Sequence, residues 1–209
     1  MDDRHARLHR AHLYFICDLE GLPTLGPALR GGAEIFQLRD KRAGDAEILR
    51  AAETARALCT EHGALFVVND RPDLAVAAGA DGVHLGQDDM GIEEARAIVG
   101  PELLIGRSTH SPPQIDAATG ADYIGVGPIH ETPTKQWRFA VGLDLVRYAA
   151  ANAAMPFFAI GGLDTIRLRE AVAAGATRAA VVRAIRVADD PEAAARLLRA
   201  ELPVENSVG

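Results

Sequence analysis

Short runs of apolar residues alternate along this chain with longer segments of helical periodicity. The short runs are rich in Val, Ile, Leu and Phe, as is typical of buried strands, and the longer segments resemble amphipathic helices. Strand and helix in regular alternation indicate a parallel sheet covered by helices. The predicted strands are Leu13–Cys17, Glu34–Leu38, Leu65–Val68, Gly82–Leu85, Leu103–Gly106, Tyr123–Val126, Phe157–Ile160 and Ala179–Val182.

The segment Asp45–Glu61 is the clearest of the predicted helices. Charged residues occupy one face of it, and the opposite face carries Ile48, Ala51, Ala52, Ala55, Leu58 and Cys59. A helix with a single apolar face is expected to pack that face against a sheet. Helices should therefore fill most of the intervals between the predicted strands.

Four similar triplets stand between a helical segment and the strand that follows it: Gly32–Glu34, Gly79–Asp81, Gly120–Asp122 and Gly175–Thr177. A glycine in the left-handed conformation commonly ends a helix, so each triplet marks a return from helix to sheet. The triplets precede alternate strands, which favours a closed (β/α)8 TIM barrel over an open doubly wound sheet with its switch point. We predict one α/β domain over residues 1–209, with frayed tails at 1–12 and 203–209.

Composition and charge narrow the class of protein. The chain has 209 residues, 48% of them hydrophobic, enough for one large core. A net charge of −7 argues against a nucleic-acid surface. No apolar stretch reaches the length of a membrane span, and Cys17 and Cys59 fall in apolar segments, as expected in a reducing compartment. We expect a cytoplasmic protein without nucleic-acid or membrane partners, and leave open whether it is a homo-oligomer.

Two consecutive predicted strands end in carboxylates. Asn69-Asp70 follows the third strand, and Asp88-Asp89 follows the fourth. Because neighbouring parallel strands end at the same edge, Asp70 and Asp89 could hold one hard cation such as Mg²⁺ between them. The alternative is that these residues only cap the helices that follow them.

The second strand runs into a group of cationic residues. In an extended conformation Gln37, Arg39 and Lys41 point to the same side, which places an amide and two cations together. This combination suits a phosphate or diphosphate, although a solvated charged turn is the alternative. Since Mg²⁺ commonly binds through one or two acids and substrate phosphates, these residues and the acidic pair would form one site.

The remaining strand ends offer further anion ligands. The fifth strand leads into Arg107–Ser111, whose hydroxyls, including that of Ser108, could donate to a phosphate, although the serine before Pro112 is equally a helix cap. The sixth strand opens a long loop containing Thr132, Thr134 and Lys135, which is either a lid over an anionic ligand or a disordered excursion. Gly161-Gly162 and Val182-Arg183 follow the last two strands, where barrels commonly bind a phosphate. Two anion sites facing each other suggest that two phosphorylated substrates are joined.

These motifs resemble the thiamine-phosphate synthase family over nearly the whole chain from Tyr14 to Ile185. The motifs are YFICD at 14–18, QLRDK at 37–41, VND at 68–70, GADGVHLGQDD at 79–89, STHS at 108–111, ADYIGVGPI with TPTK ending at Lys135, and AIGG at 159–162. The resemblance implies a (β/α)8 barrel and a Mg²⁺-dependent transferase. Such an enzyme condenses 4-amino-2-methyl-5-hydroxymethylpyrimidine diphosphate with hydroxyethylthiazole phosphate, and it releases diphosphate and thiamine phosphate.

The resemblance also implies a role for each site residue. Gln37 would read the pyrimidine, and Asp70 and Asp89 would hold Mg²⁺. The diphosphate would be bound by Arg39, Lys41, Asn69, Ser108 and Lys135, and the thiazole phosphate by Thr132, Thr134, Gly162 and the N–H groups around Val182 and Arg183. The family's course is dissociative: diphosphate leaves, the aminopyrimidine stabilises a methylene cation, and the thiazole nitrogen captures it. No side-chain nucleophile is then required, and catalysis is electrostatic.

Some positions depart from the family pattern. Arg183 stands where Ser or Thr is common, Arg107 stands where a small apolar residue is common, and residues 136–139 are bulkier than usual. One alternative is the sister thiazole tautomerase family, whose catalytic histidine would directly follow Gly127, where this chain has Pro128. Another is a non-catalytic barrel that binds phosphorylated intermediates of the thiamine pathway, for which intact Asp70, Asp89 and Lys135 leave little room.

Overall fold

Eight parallel strands hydrogen-bond to one another in chain order and close into a barrel, because the first strand also pairs with the last. The computed structural model describes residues 4–131 and 140–203. The strands are β1 Leu13–Cys17, β2 Ile35–Leu38, β3 Leu65–Asn69, β4 Gly82–Leu85, β5 Leu104–Thr109, β6 Tyr123–Val126, β7 Phe157–Ile160 and β8 Ala179–Val181. The predicted (β/α)8 barrel is confirmed.

Helices form the outer layer. They are α1 Arg4–Arg10, α2 Leu25–Arg30, α3 Asp45–His62, α4 Pro72–Ala77, α5 Ile92–Val99, α6 Pro112–Asp116, α7 Gly142–Asn152, α8 Thr165–Ala173, α9 Arg183–Arg186 and α10 Pro191–Glu201, with a 3₁₀ turn at Leu19–Thr24. The apolar face predicted for α3 is the face that it buries. None of the helices in the described ranges is both long and apolar enough to span a bilayer.

The core has two layers, because successive strand residues point to opposite sides of the sheet. The barrel interior is filled by large side chains that include Tyr14, Leu65, Tyr123 and Phe158, all of them buried. The other strand face packs against the helices in a larger apolar cluster. The interior therefore contains two tyrosine hydroxyls, and these polar groups need hydrogen-bond partners inside the barrel.

The four predicted helix stops are confirmed, since Gly32, Gly79, Gly120 and Gly175 all have positive φ angles. The acids that follow three of these glycines have a further role. Each carboxylate accepts a hydrogen bond from a backbone N–H at the start of the preceding strand. The bonds are Glu34 with the His12 N–H at 2.7 Å, Asp81 with the Phe66 N–H at 2.9 Å and Asp122 with the Ile105 N–H at 2.7 Å, and His12 stands directly before β1. These carboxylates link neighbouring strands at the amino-terminal end of the barrel.

Two boundaries differ from the prediction by more than one residue. Residues 4–10 form α1 instead of belonging to a frayed tail, because Leu8 is buried against the barrel interior and Arg4 pairs with Asp81 at 3.0 Å. Strand β5 continues to Thr109, three residues beyond its predicted end, because its polar residues keep pairing with β6 as far as Val126. Residues 204–209 of the predicted C-terminal tail lie outside the described ranges.

Candidate active site

A large cavity opens at the carboxyl ends of the strands. Its volume is about 1220 Å³, and residues that follow every one of the strands line it. Barrel enzymes carry their chemistry at this end. Of the predicted site residues, those lining the cavity are Gln37, Arg39, Lys41, Asn69, Asp70, Ser108, Asp89, Gly162, Val182 and Arg183. Thr132, Thr134, Lys135 and the bulky segment 136–139 lie outside the described residues.

Asp70 and Asp89 meet at one wall of this cavity. Their carboxyl groups lie within hydrogen-bonding reach of each other, and the Lys41 Nζ lies 3.0 Å from Asp70 Oδ2. On its other side Asp89 Oδ2 accepts the Gly86 N–H at 2.7 Å. Neither carboxylate caps the helix that follows it, since α4 and α5 begin without a side-chain cap. The capping alternative for these two residues is therefore wrong.

The pKa values of the two carboxyl groups are shifted in opposite directions. Burial, followed by the hydrogen bond with Asp89, raises the pKa of Asp70. Burial also acts to raise the pKa of Asp89, but hydrogen bonds from Asp70 and the Gly86 N–H, together with the charges of Lys41 and Arg107, lower that pKa overall. The opposite shifts are typical of two carboxyl groups that lie close together, because ionisation of one disfavours ionisation of the other.

This pair suits a hard divalent cation. Two carboxylates with further oxygen ligands from substrate or water are a common Mg²⁺ site. Within residues 4–131 and 140–203, no group of three or more His, Cys, Asp or Glu side chains forms a complete metal cage. The donor set therefore fits an ion that a phosphorylated substrate helps to bind.

Arg39 and Lys41 stand beside the acidic pair. Arg39 directly follows β2, and its backbone N–H donates to the Cys17 carbonyl oxygen at 2.8 Å, which fixes where its side chain leaves the barrel. Asp40 between them holds the turn, since its Oδ1 accepts the Arg42 N–H at 2.9 Å. All three residues line the cavity, and Asp40 differs from the two cations in that its carboxylate shapes the backbone of the turn.

A chain of hydrogen bonds crosses the cavity floor. The buried Gln37 Nε2 donates to the Tyr14 hydroxyl at 2.6 Å, and this hydroxyl lies 3.0 Å from the Tyr123 hydroxyl. The chain continues to His84 Nδ1 at 3.3 Å and from His84 Nε2 to Ser108 Oγ at 3.0 Å. Burial raises the pKa of both tyrosines, so they stay neutral phenols. Gln37 and Ser108, both predicted to bind the substrate, are therefore the two ends of one chain of hydrogen bonds.

Sequence reasoning assigned no role to Tyr14, His84 or Tyr123. The signal was present, because each is a polar or aromatic residue inside an otherwise apolar strand, within the motifs YFICD, GVHLG and ADYIG. What the sequence does not give is the distance across the barrel. Gly106 makes the contact feasible, since a Cβ there would stand 2.2 Å from Tyr123 Cζ and 2.5 Å from His84 Nδ1.

The opposite wall of the cavity carries the glycine pair. Gly161 and Gly162 have φ angles of 113° and 65°. A Cβ on Gly161 would stand 2.5 Å from Pro128 Cα, and one on Gly162 would stand 2.9 Å from the Glu131 carbonyl oxygen. These glycines are therefore required by the close approach of residues 128–131. Nearby, the exposed Arg183 begins α9, and Arg186 of that helix makes a two-pronged ion pair with Asp18 at 2.8 and 2.9 Å.

Arg107, which departs from the family pattern, contacts the turn that follows β4. Its guanidinium donates to the carbonyl oxygens of Met90 at 3.0 Å and of Gln87 at 3.4 Å. It therefore contacts the turn that carries Asp89. Burial alone would raise the pKa of Asp89, and the charge of Arg107 is among the influences that lower it, after the hydrogen bonds from Asp70 and the Gly86 N–H and the charge of Lys41.

Residues 13–185 match the family model described as thiamine monophosphate synthase. A thiamine-phosphate synthase from Mycobacterium marinum is 49% identical over 215 residues, which cover 95% of this chain and 98% of that protein. One from Nostoc sp. (strain PCC 7120) is 47% identical over 203 residues, which cover 95% of this chain but 58% of that protein.

This chain therefore spans little more than half the length of the Nostoc relative. Among solved structures, a thiamine phosphate pyrophosphorylase from Pyrococcus furiosus superposes with a TM-score of 0.85 at 36% identity, covering 96% of this chain and 98% of that one. The family match covers most of the barrel and includes the strand ends that form the cavity. On these grounds the chain belongs to the thiamine monophosphate synthase family.

Proposed function

We propose that this protein condenses 4-amino-2-methyl-5-hydroxymethylpyrimidine diphosphate with hydroxyethylthiazole phosphate to give thiamine phosphate and diphosphate. The observation that carries the proposal is the meeting of Asp70, Asp89 and Lys41 beside Arg39 at one wall of the cavity. Family membership supports the same reaction. A diphosphate is the anion that such a set of acids and cations would hold.

The wall formed by β2, β3 and β4 would bind the leaving diphosphate. Arg39 and Lys41 would neutralise its oxygens, and Asn69 and Ser108 would donate hydrogen bonds to it. As charge builds up on the departing diphosphate, these fixed cations and donors would stabilise it more than they stabilise the bound substrate. This difference is the source of the expected rate acceleration.

Asp70 and Asp89 would hold a Mg²⁺ ion in this arrangement. The support for this role is the closeness of the two carboxyl groups, one with a raised pKa, because a divalent cation between them would offset their mutual repulsion. Mg²⁺ bound there would supply Lewis-acid charge to the diphosphate oxygens. Lys41, which pairs with Asp70 in the metal-free arrangement, would then be released toward the diphosphate.

The cavity floor would orient the pyrimidine. Gln37 uses an amide N–H on Tyr14, which leaves its carbonyl oxygen available to accept from an amino group. If each buried hydroxyl both accepts and donates, Tyr14 donates to Tyr123, Tyr123 to His84 Nδ1, and the His84 Nε2–H to Ser108. Ser108 then keeps its own hydroxyl proton for the diphosphate.

The opposite wall would hold the second substrate. N–H groups near Gly162, Val182 and Arg183, together with Thr132 and Thr134, would bind the thiazole phosphate and align its ring nitrogen with the pyrimidine carbon. A covalent nucleophile has no place in this scheme. The thiol of Cys17, which lines the cavity, has its pKa raised to about 12, chiefly by burial and then by Asp18, so it stays protonated.

The test is to incubate the purified protein with both substrates and to measure thiamine phosphate with Mg²⁺ and with a chelator. We expect product only with the metal, and severe loss of turnover in Asp70→Ala and Asp89→Ala. The control is Asp73→Ala, which removes an exposed carboxylate that pairs with Arg71 outside the cavity. Product formation at wild-type rates by both aspartate variants would defeat the metal assignment, and no product from the wild type would defeat the proposed reaction.

A further inference from the structure

The turn Gly86–Met90, called here the Asp89 turn, joins β4 to the segment before α5 and carries one of the two proposed metal ligands. Within the turn, the Gly86 N–H donates to Asp89 Oδ2 at 2.7 Å, and the Asp89 N–H reaches the Gly86 carbonyl oxygen at 3.3 Å. These contacts fold the turn, and the Asp70 N–H, which donates to the His84 carbonyl oxygen at 2.8 Å, ties Asp70 to the end of β4. Further contacts hold the turn from the side of β5.

Strand β5 supplies those contacts from both of its faces. On the inner face, Ser108 meets His84 through its side chain, and its carbonyl oxygen accepts the Gln87 Nε2–H at 2.6 Å. Arg107 is the residue directly before Ser108 in the strand, and its side chain therefore points to the outer face. Its guanidinium donates to the Met90 carbonyl oxygen at 3.0 Å and to the Gln87 carbonyl oxygen at 3.4 Å.

The two carbonyl groups that Arg107 contacts lie on either side of Asp89 in the turn. One guanidinium that spans both of them restricts the backbone between them, and a planar fork does this better than a flexible ammonium. Arg107 is also only partly buried, so its geometry does not follow from core packing alone.

We propose that Arg107 is a positioning residue for the divalent cation, holding the Asp89 turn so that the carboxylate of Asp89 meets that of Asp70. This inference rests on the metal role of the two acids in the proposed function. It also goes beyond that function, because it assigns a role to an arginine that departs from the family pattern and does not contact the cation.

Charge and geometry make opposite predictions here. A positive charge close to a cation site weakens cation binding by repulsion, so removal of the charge alone would strengthen binding. Loss of the fork would weaken binding, since partners that orient metal ligands are typically worth 10–100-fold in affinity. The variant Arg107→Lys keeps the charge and loses the fork, whereas Arg107→Met loses both.

The test is a titration of the protein with Mn²⁺ in the presence of inorganic diphosphate, with bound ion measured by electron paramagnetic resonance. We expect Arg107→Lys to bind Mn²⁺ about tenfold more weakly than wild type. We expect Arg107→Met to be weaker than wild type as well, but less so, because it also loses the repulsion. Wild-type affinity in Arg107→Lys, or tighter binding in Arg107→Met, would overturn the proposal.

Arg96 provides a matched control. It also braces a segment next to β5 by donating to carbonyl oxygens, those of Gly100 at 3.0 Å and Leu103 at 2.5 Å, but at the opposite end of the strand. Arg96→Met should lower the melting temperature without changing Mn²⁺ affinity, and a matching loss of affinity there would reduce the Arg107 effect to general destabilisation. A wild-type protein that binds no Mn²⁺ would refute the metal site itself, whereas normal wild-type binding with an unaffected Arg107→Lys would refute only the role of Arg107.

Discussion

At the scale of single residues, Asp70 combines two features that cost stability. It has a φ angle of 61°, the only positive φ outside glycine in the part of the chain that the structure describes. Its carboxyl group also faces that of Asp89. Unfavourable conformations of this kind persist where function requires them, because the surrounding structure holds them in place. The cost is consistent with a site prepared for a cation.

The variant Asp70→Asn should therefore stabilise the metal-free protein while abolishing turnover. Asparagine tolerates the left-handed conformation, and its amide donates to Asp89 without a charge. We expect a gain of about 1 kcal/mol in the free energy of unfolding, measured by urea denaturation in the presence of a chelator. A loss of stability in Asp70→Asn would show that the carboxyl pair is not a source of strain.

The size of this gain should depend on pH. A carboxyl group whose pKa is raised by folding binds its proton more tightly in the folded state, so wild-type stability falls as the pH rises from the ordinary pKa through the raised one. The amide of Asp70→Asn does not titrate. The stability advantage of the variant should therefore grow across that pH window. Denaturation curves at a series of pH values measure this advantage, and an advantage that shrinks as the pH rises would contradict the prediction.

Arg39 offers a second prediction at this scale. Arg39→Ala should raise the KM for the pyrimidine diphosphate by about tenfold or more, since a charge-assisted contact to a phosphate is worth roughly 1.5–3 kcal/mol. The KM for the thiazole phosphate should change little. Steady-state kinetics would test both values, with Arg50→Ala on the exposed face of α3 as the control. Unchanged kinetics in Arg39→Ala would remove it from the diphosphate site.

At the scale of elements, the apolar runs predicted the strands well, and the errors have physical causes. The pattern predicts too short a β5 because Arg107-Ser108-Thr109 is polar. In the structure the Ser108 side chain points into the barrel and the Arg107 side chain reaches a neighbouring turn. Helix α1 was missed because it buries a single apolar residue, Leu8, in a polar segment. Both elements depend on tertiary contacts that have no local pattern.

Gly106 tests how strands β4, β5 and β6 cooperate in the cavity floor. In Gly106→Ala the new methyl group would overlap Tyr123 and His84, so the hydrogen-bond chain should break. We expect a loss of about 1–3 kcal/mol in unfolding free energy and a large fall in turnover. Gly26→Ala in α2, where a Cβ meets nothing closer than 3.6 Å, should leave both unchanged or slightly improve stability. Equal behaviour of the two variants would contradict the close approach.

At the scale of the whole molecule, the two ends of the barrel have separate tasks. The amino-terminal end is closed by α1 and by carboxylates that bind backbone N–H groups, whereas the carboxyl-terminal end opens into the cavity. The alternating triplets were enough to predict barrel closure and therefore which residues share the mouth. The triplets could not predict the chain of hydrogen bonds that links Gln37 to Ser108, because contacts across the barrel interior depend on side-chain lengths and barrel width.

This division predicts that the amino-terminal end contributes to stability and leaves catalysis unaffected. Leu8→Ala removes a side chain that is 1% exposed, and should cost about 2 kcal/mol or more of unfolding free energy. Turnover measured well below the melting temperature should equal that of the wild type. Leu197→Ala, at a position 60% exposed on α10, should alter neither. A specific loss of turnover in Leu8→Ala would mean that the two ends are coupled.

The most direct measurement is a crystal structure of the protein with Mn²⁺, diphosphate and thiamine phosphate, with the ion located by its anomalous scattering. We expect one ion bonded to Asp70, Asp89 and the diphosphate, with Arg39 and Lys41 on the diphosphate oxygens and the phosphate of the product at Gly162 and Val182. An ion away from both acids, or a diphosphate at the glycine wall, would contradict it.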